Sequence, residues 1–224
     1  MIFSTGQLGN HDQWRVGSRH GEDLIDALNM ISLTLPGVSI TYQGEEIGMV
    51  NNFDITWEET VDPQGINCGE ENYLDESCSR DPERTPFQWD STKNAGFTTG
   101  ETTWLPVNKN YVELNAAAQD GQAYSHLEIF KSLQSLRREM KYSEMSGDPW
   151  HDMNVLAFGT RGDGGDGLLT VTVVNFGVQT QTVNLSGKFH ESFELGQVVV
   201  ASNGGSNMEG YETWSSSIGY SNGF

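Results

Sequence analysis

The feature that most constrains the fold is a long stretch, from Gly44 to about Gly121, that has neither helical nor strand periodicity. Irregular segments longer than about 12 to 15 residues are uncommon in compact domains and are usually functional where they occur. Aromatic residues recur through the stretch and are expected to order it: Trp57, Tyr73, Phe87, Trp89 and Trp104. We therefore expect this segment to be folded and to pack beside a functional site formed with its flanking regions.

Both flanks of this stretch contain an amphipathic helix. In residues 24–35, Leu and Ile recur at helical spacing and Pro36-Gly37 ends the segment, after which Val38 to Tyr42 predicts a short strand. Residues 125–141 again place apolar side chains on one face, and their basic side chains gather toward the C-terminal end, which suits the helix dipole. These elements predict a βα unit of an α/β fold.

The pattern changes to strand alternation after Pro149. Apolar residues and threonines alternate in residues 169–173, and further strands are predicted at Thr180 to Leu185 and at Phe193 to Ala201. We place a domain boundary between Tyr142 and Asp148. The prediction is therefore an α/β region at residues 1–145 followed by a small antiparallel β domain at residues 146–224.

The charge of the chain excludes one class of partner. Twelve basic side chains face thirty-one acidic ones, so the formal net charge is −19. Such a chain repels phosphate backbones, and no nucleic-acid partner is predicted. The most apolar stretch, Leu24 to Leu35, is interrupted by Asp26, Asn29 and Ser32 and is shorter than the roughly 18 to 20 residues that span a bilayer.

Two cysteines and one sequon bear on the compartment. Cys68 and Cys78 have the spacing of neither a zinc site nor a thioredoxin motif, and we predict a local disulfide between them, with two free thiols as the alternative. The sequon that begins at Asn184 predicts glycosylation and favours a secreted protein. No metal site is predicted, and Gly162 to Gly167 favours a hairpin turn over a calcium-binding repeat.

The candidate site is the segment Gly9-Asn10-His11-Asp12, which precedes a helix. Four such residues are most often a turn and a cap. His11, Asp12 and Arg15, however, combine an imidazole, a carboxylate and a guanidinium within five positions. Such groups can bind several sugar hydroxyls and oppose a developing positive charge.

Four segments carry a family resemblance: GNHDQWRVGSRHG, GVSITYQGEEIGM, SRDPERTPFQWDSTKNAGF and WLPVNKNY. In this order and spacing they resemble insect-type maltases and related α-1,4-glucosidases of the α-amylase family. The resemblance extends over most of residues 9–142. It implies the C-terminal part of a (β/α)8 TIM barrel followed by a small antiparallel β-sandwich domain.

The resemblance also implies a retaining glycosidase that uses an Asp nucleophile, a Glu acid/base and a second Asp. Asp12 matches the second Asp, which stabilises the transition state, and His11 matches the residue that holds neighbouring hydroxyls. Arg15 lies where these enzymes carry an Arg that contacts the terminal glucose. Glu45, Glu46 and Arg84 are interpreted as scaffold.

The nucleophile and the acid/base of the family lie upstream of the His-Asp segment, where this chain has only eight residues, Met1 to Leu8. We therefore expect both to be missing, both ends to be cut, and the chain alone to be inactive. Met1 to Leu8 does not resemble the apolar strand that the family carries there.

The resemblance implies a small α-glucoside as substrate, no cofactor, and a secreted or extracellular enzyme of the gut lumen. Membrane association or a protein partner of the full-length form stays open. The alternative function is a non-catalytic receptor or the heavy chain of an amino-acid transporter, because such proteins share the barrel.

Overall fold

The structure is a computed structural model that describes residues 5–163, 169–179, 181, 183–185 and 189. In the first part of the described chain each of two short strands is followed by helices, and in the second part strands follow one another. The elements are β1 (Thr5–Gln7), α1 (Val16–His20), α2 (Ile25–Thr34), β2 (Val38–Ile40), α3 (Pro63–Cys68), α4 (Ala116–Gln119), α5 (His126–Met140), β3 (Tyr142–Met145), β4 (Trp150–Asp152), β5 (Val155–Gly162) and β6 (Thr170–Asn175).

Helices α2 and α5 pack together, and both sequence predictions of a helix are confirmed. Leu33 of α2 forms a buried apolar cluster with Ile129 and Leu133 of α5. The Arg137 guanidinium of α5 donates to the carbonyl oxygens of Leu33 and Leu35, at 2.7 and 2.9 Å. These carbonyls end α2 without partners in their own helix, so α5 supplies the cap of α2.

Strands β1 and β2 form a parallel pair in which Thr5 lies opposite Val38 and Gln7 opposite Ile40. The sequence of Met1 to Leu8 does not resemble the family's apolar strand, yet residues 5–7 do form a strand. Hydrogen bonds between strand backbones need no apolar side chain, so the composition of Met1 to Leu8 did not indicate this strand. The described residues contain this one parallel pair and form no closed barrel.

The long segment after β2 contains two short helices that the sequence did not predict, α3 and α4, and several 3-10 turns. The rest is irregular, as predicted, and several kinds of contact order it. Trp57 packs edge-on against Tyr73 with ring centroids 5.6 Å apart. The predicted Cys68–Cys78 disulfide is present. Not every aromatic residue is buried, however, because Trp89 and Trp104 are 54% and 64% exposed.

The second part of the chain is an antiparallel sheet built on β5. Strands β3 and β4 pair with β5, and β6 pairs with β5 along residues 155–160. In β6 the alternation is present, but Thr172 and Val174 are buried while Val173 is 42% exposed. Thr172 reaches the first part of the chain, since its hydroxyl lies 2.7 Å from that of Thr34 in α2.

The β-sandwich and the domain division stay predictions. Strand β3 begins at Tyr142, which is the N-terminal limit of the predicted boundary. Within the predicted strand Thr180 to Leu185, the described residues 181 and 183–185 have no regular secondary structure, so that prediction is wrong for them. The predicted strand Phe193 to Ala201 lies outside the described residues.

Candidate active site

His11 and Asp12 lie on the turn that follows the C-terminal end of β1 and precedes α1. The side chain of Asn10 shapes this turn, because its amide oxygen accepts from the Asp12 backbone N–H at 2.7 Å. The side chains of His11 and Asp12 are 67% and 51% exposed, with Nε2 of His11 3.2 Å from Oδ2 of Asp12. Ligands of parallel α/β sheets bind at this carboxyl end of the strands.

Two arginines from the irregular segment converge on Asp12. Arg84 donates from Nη2 to Oδ1 of Asp12 at 2.7 Å and from Nε to the carbonyl oxygen of His11 at 2.6 Å. Arg80 donates from Nη1 to the same Oδ1 at 3.3 Å. One carboxylate oxygen thus lies between two cations, and the other faces His11.

Arg80 is itself fixed by Asp62. Its Nε and Nη2 donate to the two carboxylate oxygens of Asp62 at 2.7 and 2.8 Å, and its backbone N–H donates to Oδ2 at 2.9 Å. The Asp62 side chain is fully buried. Hydrogen bonds from the Arg80 side chain, which outweigh the effect of burial, hold the pKa of Asp62 well below its usual range, so it is ionised at neutral pH.

Arg15, predicted to contact substrate, lies beneath this surface and is 1% exposed. It donates from Nη1 to the carbonyl oxygen of Gln43 at 2.6 Å, and its guanidinium lies 5.1 Å from the centroid of the Tyr42 ring. Burial lowers the pKa of Arg15, while nearby carboxylates, Glu45 among them, oppose that effect.

Two buried carboxyl groups accompany Arg15. Burial raises the pKa of Glu45 to about 7 and, independently, that of Glu83 to about 7. Glu45 accepts from the Tyr42 backbone N–H at 3.0 Å, and Glu46 accepts from that of Gly44 at 2.7 Å. Glu45 and Glu46 therefore hold the turn after β2, which agrees with their interpretation as scaffold.

The predicted glycosylation site follows β6 in the chain. Asn184 is exposed, while Ser186 of its sequon lies outside the described residues. Within the described part of the chain, no group of three or more His, Cys, Asp or Glu side chains is placed to hold a metal ion. Over the same residues, no helix has the length and apolarity that crossing a bilayer requires.

The sequence interpretation did not single out Arg80 and took Arg84 for scaffold. Both contact the candidate site residue Asp12. Their position in SRDPERTPFQWD, inside a segment that carried the family resemblance, was an available signal. Nothing local in that segment, however, indicates which distant carboxylate the guanidinium groups meet.

The arrangement can bind and polarise a polyhydroxylated ligand. Arg80 and Arg84 fix the Asp12 carboxylate from one side, while half of the Asp12 side chain remains exposed. A carboxylate that is already oriented by charged donors accepts hydroxyl hydrogen bonds and opposes a developing cation without reorganising. This chemistry is typical of a sugar-binding half of a glycosidase site.

The comparisons with known proteins agree with this class. The family model "Alpha amylase, catalytic domain" matches residues 1–145. The chain belongs to the α-amylase family. Within that family it is similar to maltases and α-glucosidases of insects.

Among these relatives, Maltase 1 of Drosophila virilis is 47% identical over 180 residues, 80% of this chain and 28% of that protein. The salivary alpha-glucosidase of Aedes aegypti is 44% identical over 206 residues, 89% of this chain and 34% of that protein. The chain thus spans about a third of the length of these relatives.

More distant relatives broaden the range of functions. An amino acid transporter heavy chain of Rattus norvegicus is 33% identical over 179 residues, 80% of this chain and 24% of that protein. Among solved structures, trehalulose synthase MutB of Pseudomonas mesoacidophila superposes with a TM-score of 0.68 at 35% identity, over 79% of this chain and 35% of that chain.

Proposed function

We propose that these residues form the transition-state-stabilising part of a retaining α-glucosidase that releases terminal α-1,4-linked glucose from maltose and short oligosaccharides. The observation that carries the proposal is the Asp12 carboxylate, held by Arg80 and Arg84 at the carboxyl end of β1 and still half exposed. The identity to insect maltases and α-glucosidases supports the substrate class. The substrate is a small α-glucoside.

Asp12 acts by hydrogen bonding and charge, not as a nucleophile. Its exposed carboxylate edge accepts from two neighbouring hydroxyls of the terminal glucose, and its charge opposes the positive charge of an oxocarbenium-like transition state. His11, whose ring is mostly exposed beside Asp12, binds a further hydroxyl. Because the charge on the sugar develops only in the transition state, these contacts act chiefly on kcat.

The predicted contact between Arg15 and the sugar has less support. Its side chain is 1% exposed and already donates to the carbonyl oxygen of Gln43. We propose instead that Arg84 is the arginine beside the sugar, because it contacts both His11 and Asp12. Arg15 then stabilises the floor of the site among its buried glutamates.

The chain by itself is proposed to be inactive. A retaining mechanism needs a nucleophile and an acid/base, which the family resemblance places upstream of Asp12. Loss of a whole catalytic unit commonly costs on the order of a million-fold in rate. Binding groups such as His11 and Asp12 cannot replace a covalent intermediate and a proton donor.

The test compares the 224-residue chain with the protein expressed from the complete open reading frame that contains it. Glucose release from maltose is expected from the second and not from the first. Asp12→Asn in the complete protein is expected to lower kcat by about 100- to 1,000-fold, since one stabilising charge is lost. Asp54→Asn is the control, because Asp54 pairs with Lys109 on the surface.

A wild-type complete protein that releases no glucose would reject the enzyme proposal. The competing function, supported by identity to an amino acid transporter heavy chain, is then favoured. That alternative expects the complete protein to co-purify from membranes with a multi-span transporter subunit. If the complete protein releases glucose and Asp12→Asn lowers that activity, the transporter role is excluded as the sole function.

The proposed location is extracellular. Salivary α-glucosidases are among the relatives, the Cys68–Cys78 disulfide is formed, and disulfides persist in oxidising compartments. Asn184 is exposed and is the proposed glycosylation site. A shift in electrophoretic mobility on enzymatic deglycosylation, lost in Asn184→Gln, tests this directly. Membrane association and a protein partner remain proposals for the full-length form.

A further inference from the structure

Asp62 and Asp12 both accept hydrogen bonds from the same arginine, Arg80. Arg80 uses Nε and Nη2 for Asp62, at 2.7 and 2.8 Å, and Nη1 for Asp12, at 3.3 Å. The Asp62 side chain is fully buried, whereas that of Asp12 is 51% exposed. The buried carboxylate therefore fixes the plane of the guanidinium, and the remaining donor is left to point at the exposed one.

We infer that Asp62 is a positioning residue that sets the orientation of the Asp12 carboxylate through Arg80. The inference rests on the proposed function and adds to it a residue fifty positions away in sequence that touches neither substrate nor the reacting atoms. Supporting groups of this kind hold a site within the few tenths of an ångström that productive geometry requires.

Asp62 is itself held by contacts other than those with Arg80. Its backbone N–H donates to Oδ2 of Asp81 at 3.0 Å. Its side chain caps α3, since Oδ1 accepts from the Gln64 backbone N–H at 3.0 Å. Helix α3 ends at Cys68, whose disulfide partner Cys78 stands two positions before Arg80. The disulfide thus links the helix that Asp62 caps to the segment that carries Arg80.

Without the Asp62 charge, Arg80 loses its anchor. Its guanidinium can then turn about its flexible stem, and its contact with Asp12 changes in direction and distance. Arg84 remains on Asp12 and keeps part of the orientation. The expected defect is therefore smaller than that of removing Asp12 itself, and it lies in the transition state more than in substrate binding.

The experiment measures kcat and KM on maltose for the complete protein with Asp62→Asn. Asparagine keeps the side-chain oxygen that caps α3 and nearly the same volume, and it removes the charge. We expect kcat to fall by roughly 10- to 100-fold with KM changed by less than about threefold, the range typical of groups that orient an active-site residue. Asp54→Asn is the matched control.

A double-mutant cycle distinguishes the positioning role of Asp62 from a purely structural one. Rates are normalised to the folded protein by thermal unfolding of each variant. If Asp62 acts through Arg80 and Asp12, then Asp62→Asn lowers kcat little further in the Asp12→Asn background and in the Arg80→Lys background. A loss that multiplies unchanged in both backgrounds overturns the inference, as does wild-type kcat in Asp62→Asn.

The same variants distinguish failure of the proposed function from failure of the positioning claim. If the wild-type complete protein releases no glucose, that function fails, and crystal structures of the wild type and of Asp62→Asn decide the positioning claim. An Arg80 Nη1 to Asp12 Oδ1 distance that stays at 3.3 Å in the variant overturns it. A guanidinium turned away from Asp12, with the fold otherwise retained, supports it.

Discussion

Arg84 donates to the carboxylate of Asp12 at 2.7 Å although the two residues are 72 positions apart in the chain. The same guanidinium donates from Nε to the carbonyl oxygen of His11. It therefore fixes both the backbone of the turn after β1 and the functional group that the turn presents. These two contacts support the proposal that Arg84 is part of the site and not only of its scaffold.

Replacing Arg84 tests this assignment. Arg84→Lys keeps the charge but cannot reach both acceptors with a planar fork, so kcat on maltose is expected to fall by about 10- to 100-fold. Arg138→Lys is the control, because Arg138 is exposed on α5. Equal rates for the Arg84 variant and the control would return Arg84 to the scaffold.

Glu45 predicts a loss of stability with rising pH. Burial raises its pKa to about 7 in the folded state, above the ordinary value of 4.5. The folded state then binds the proton more tightly, so the contribution of this group to stability is fully present below pH 4.5 and is lost as the pH rises to about 7.

Glu45→Gln cannot ionise, and relative to wild type it should gain on the order of 2 to 3 kcal/mol between pH 5 and 8. Urea unfolding across this range measures the difference. The exposed Glu113→Gln is the control. A stability difference between wild type and Glu45→Gln that does not change with pH would contradict the assignment.

The His126–Asp26 pair predicts a second pH dependence. Its atoms are 2.7 Å apart, between the N-terminal end of α5 and the buried side of α2. Burial lowers the pKa of His126, but the Asp26 carboxylate outweighs it and the pKa is raised overall. Stability from the charged pair is therefore present below pH 6.5 and lost as the pH rises through the folded pKa.

Asp26→Asn should therefore destabilise the protein by about 1 to 3 kcal/mol at pH 6 and by less at pH 9. Thermal unfolding at both pH values measures the difference. Asp23→Asn, on the exposed turn before α2, is the control and should behave alike at both. A larger deficit at pH 9 than at pH 6 would show that the sign is wrong.

The Cys68–Cys78 disulfide predicts a change in stability. Its half-cystines are separated by ten positions, and closing a loop of about this size contributes roughly 2 to 3 kcal/mol by restricting the unfolded chain. The Cys68→Ser/Cys78→Ser double variant should lose that amount in urea unfolding. Alkylation of either cysteine in the native protein without reductant, detected by peptide mass mapping, would contradict the pairing.

Helices α2 and α5, strand β6 and the family were predictable because their signals are local. Apolar spacing and end residues mark each helix, and alternation marks β6, whatever the rest of the chain does. The family resemblance likewise resides in contiguous segments such as GNHD and RTPFQWD. These features can therefore be predicted without knowing any contact between distant residues.

The sequence alone was enough to single out Asp12 and its motif as the candidate site. Only the tertiary structure decided which side chains contact Asp12. Arg80 and Arg84 reach Asp12 across a segment with no periodicity, so no local pattern encodes the path of the chain between them. Arg15, only three positions after Asp12 in sequence, is instead buried. Exposure and pairing are set by packing in three dimensions, where one arginine can be anchored by Asp62 and another enclosed beneath the site.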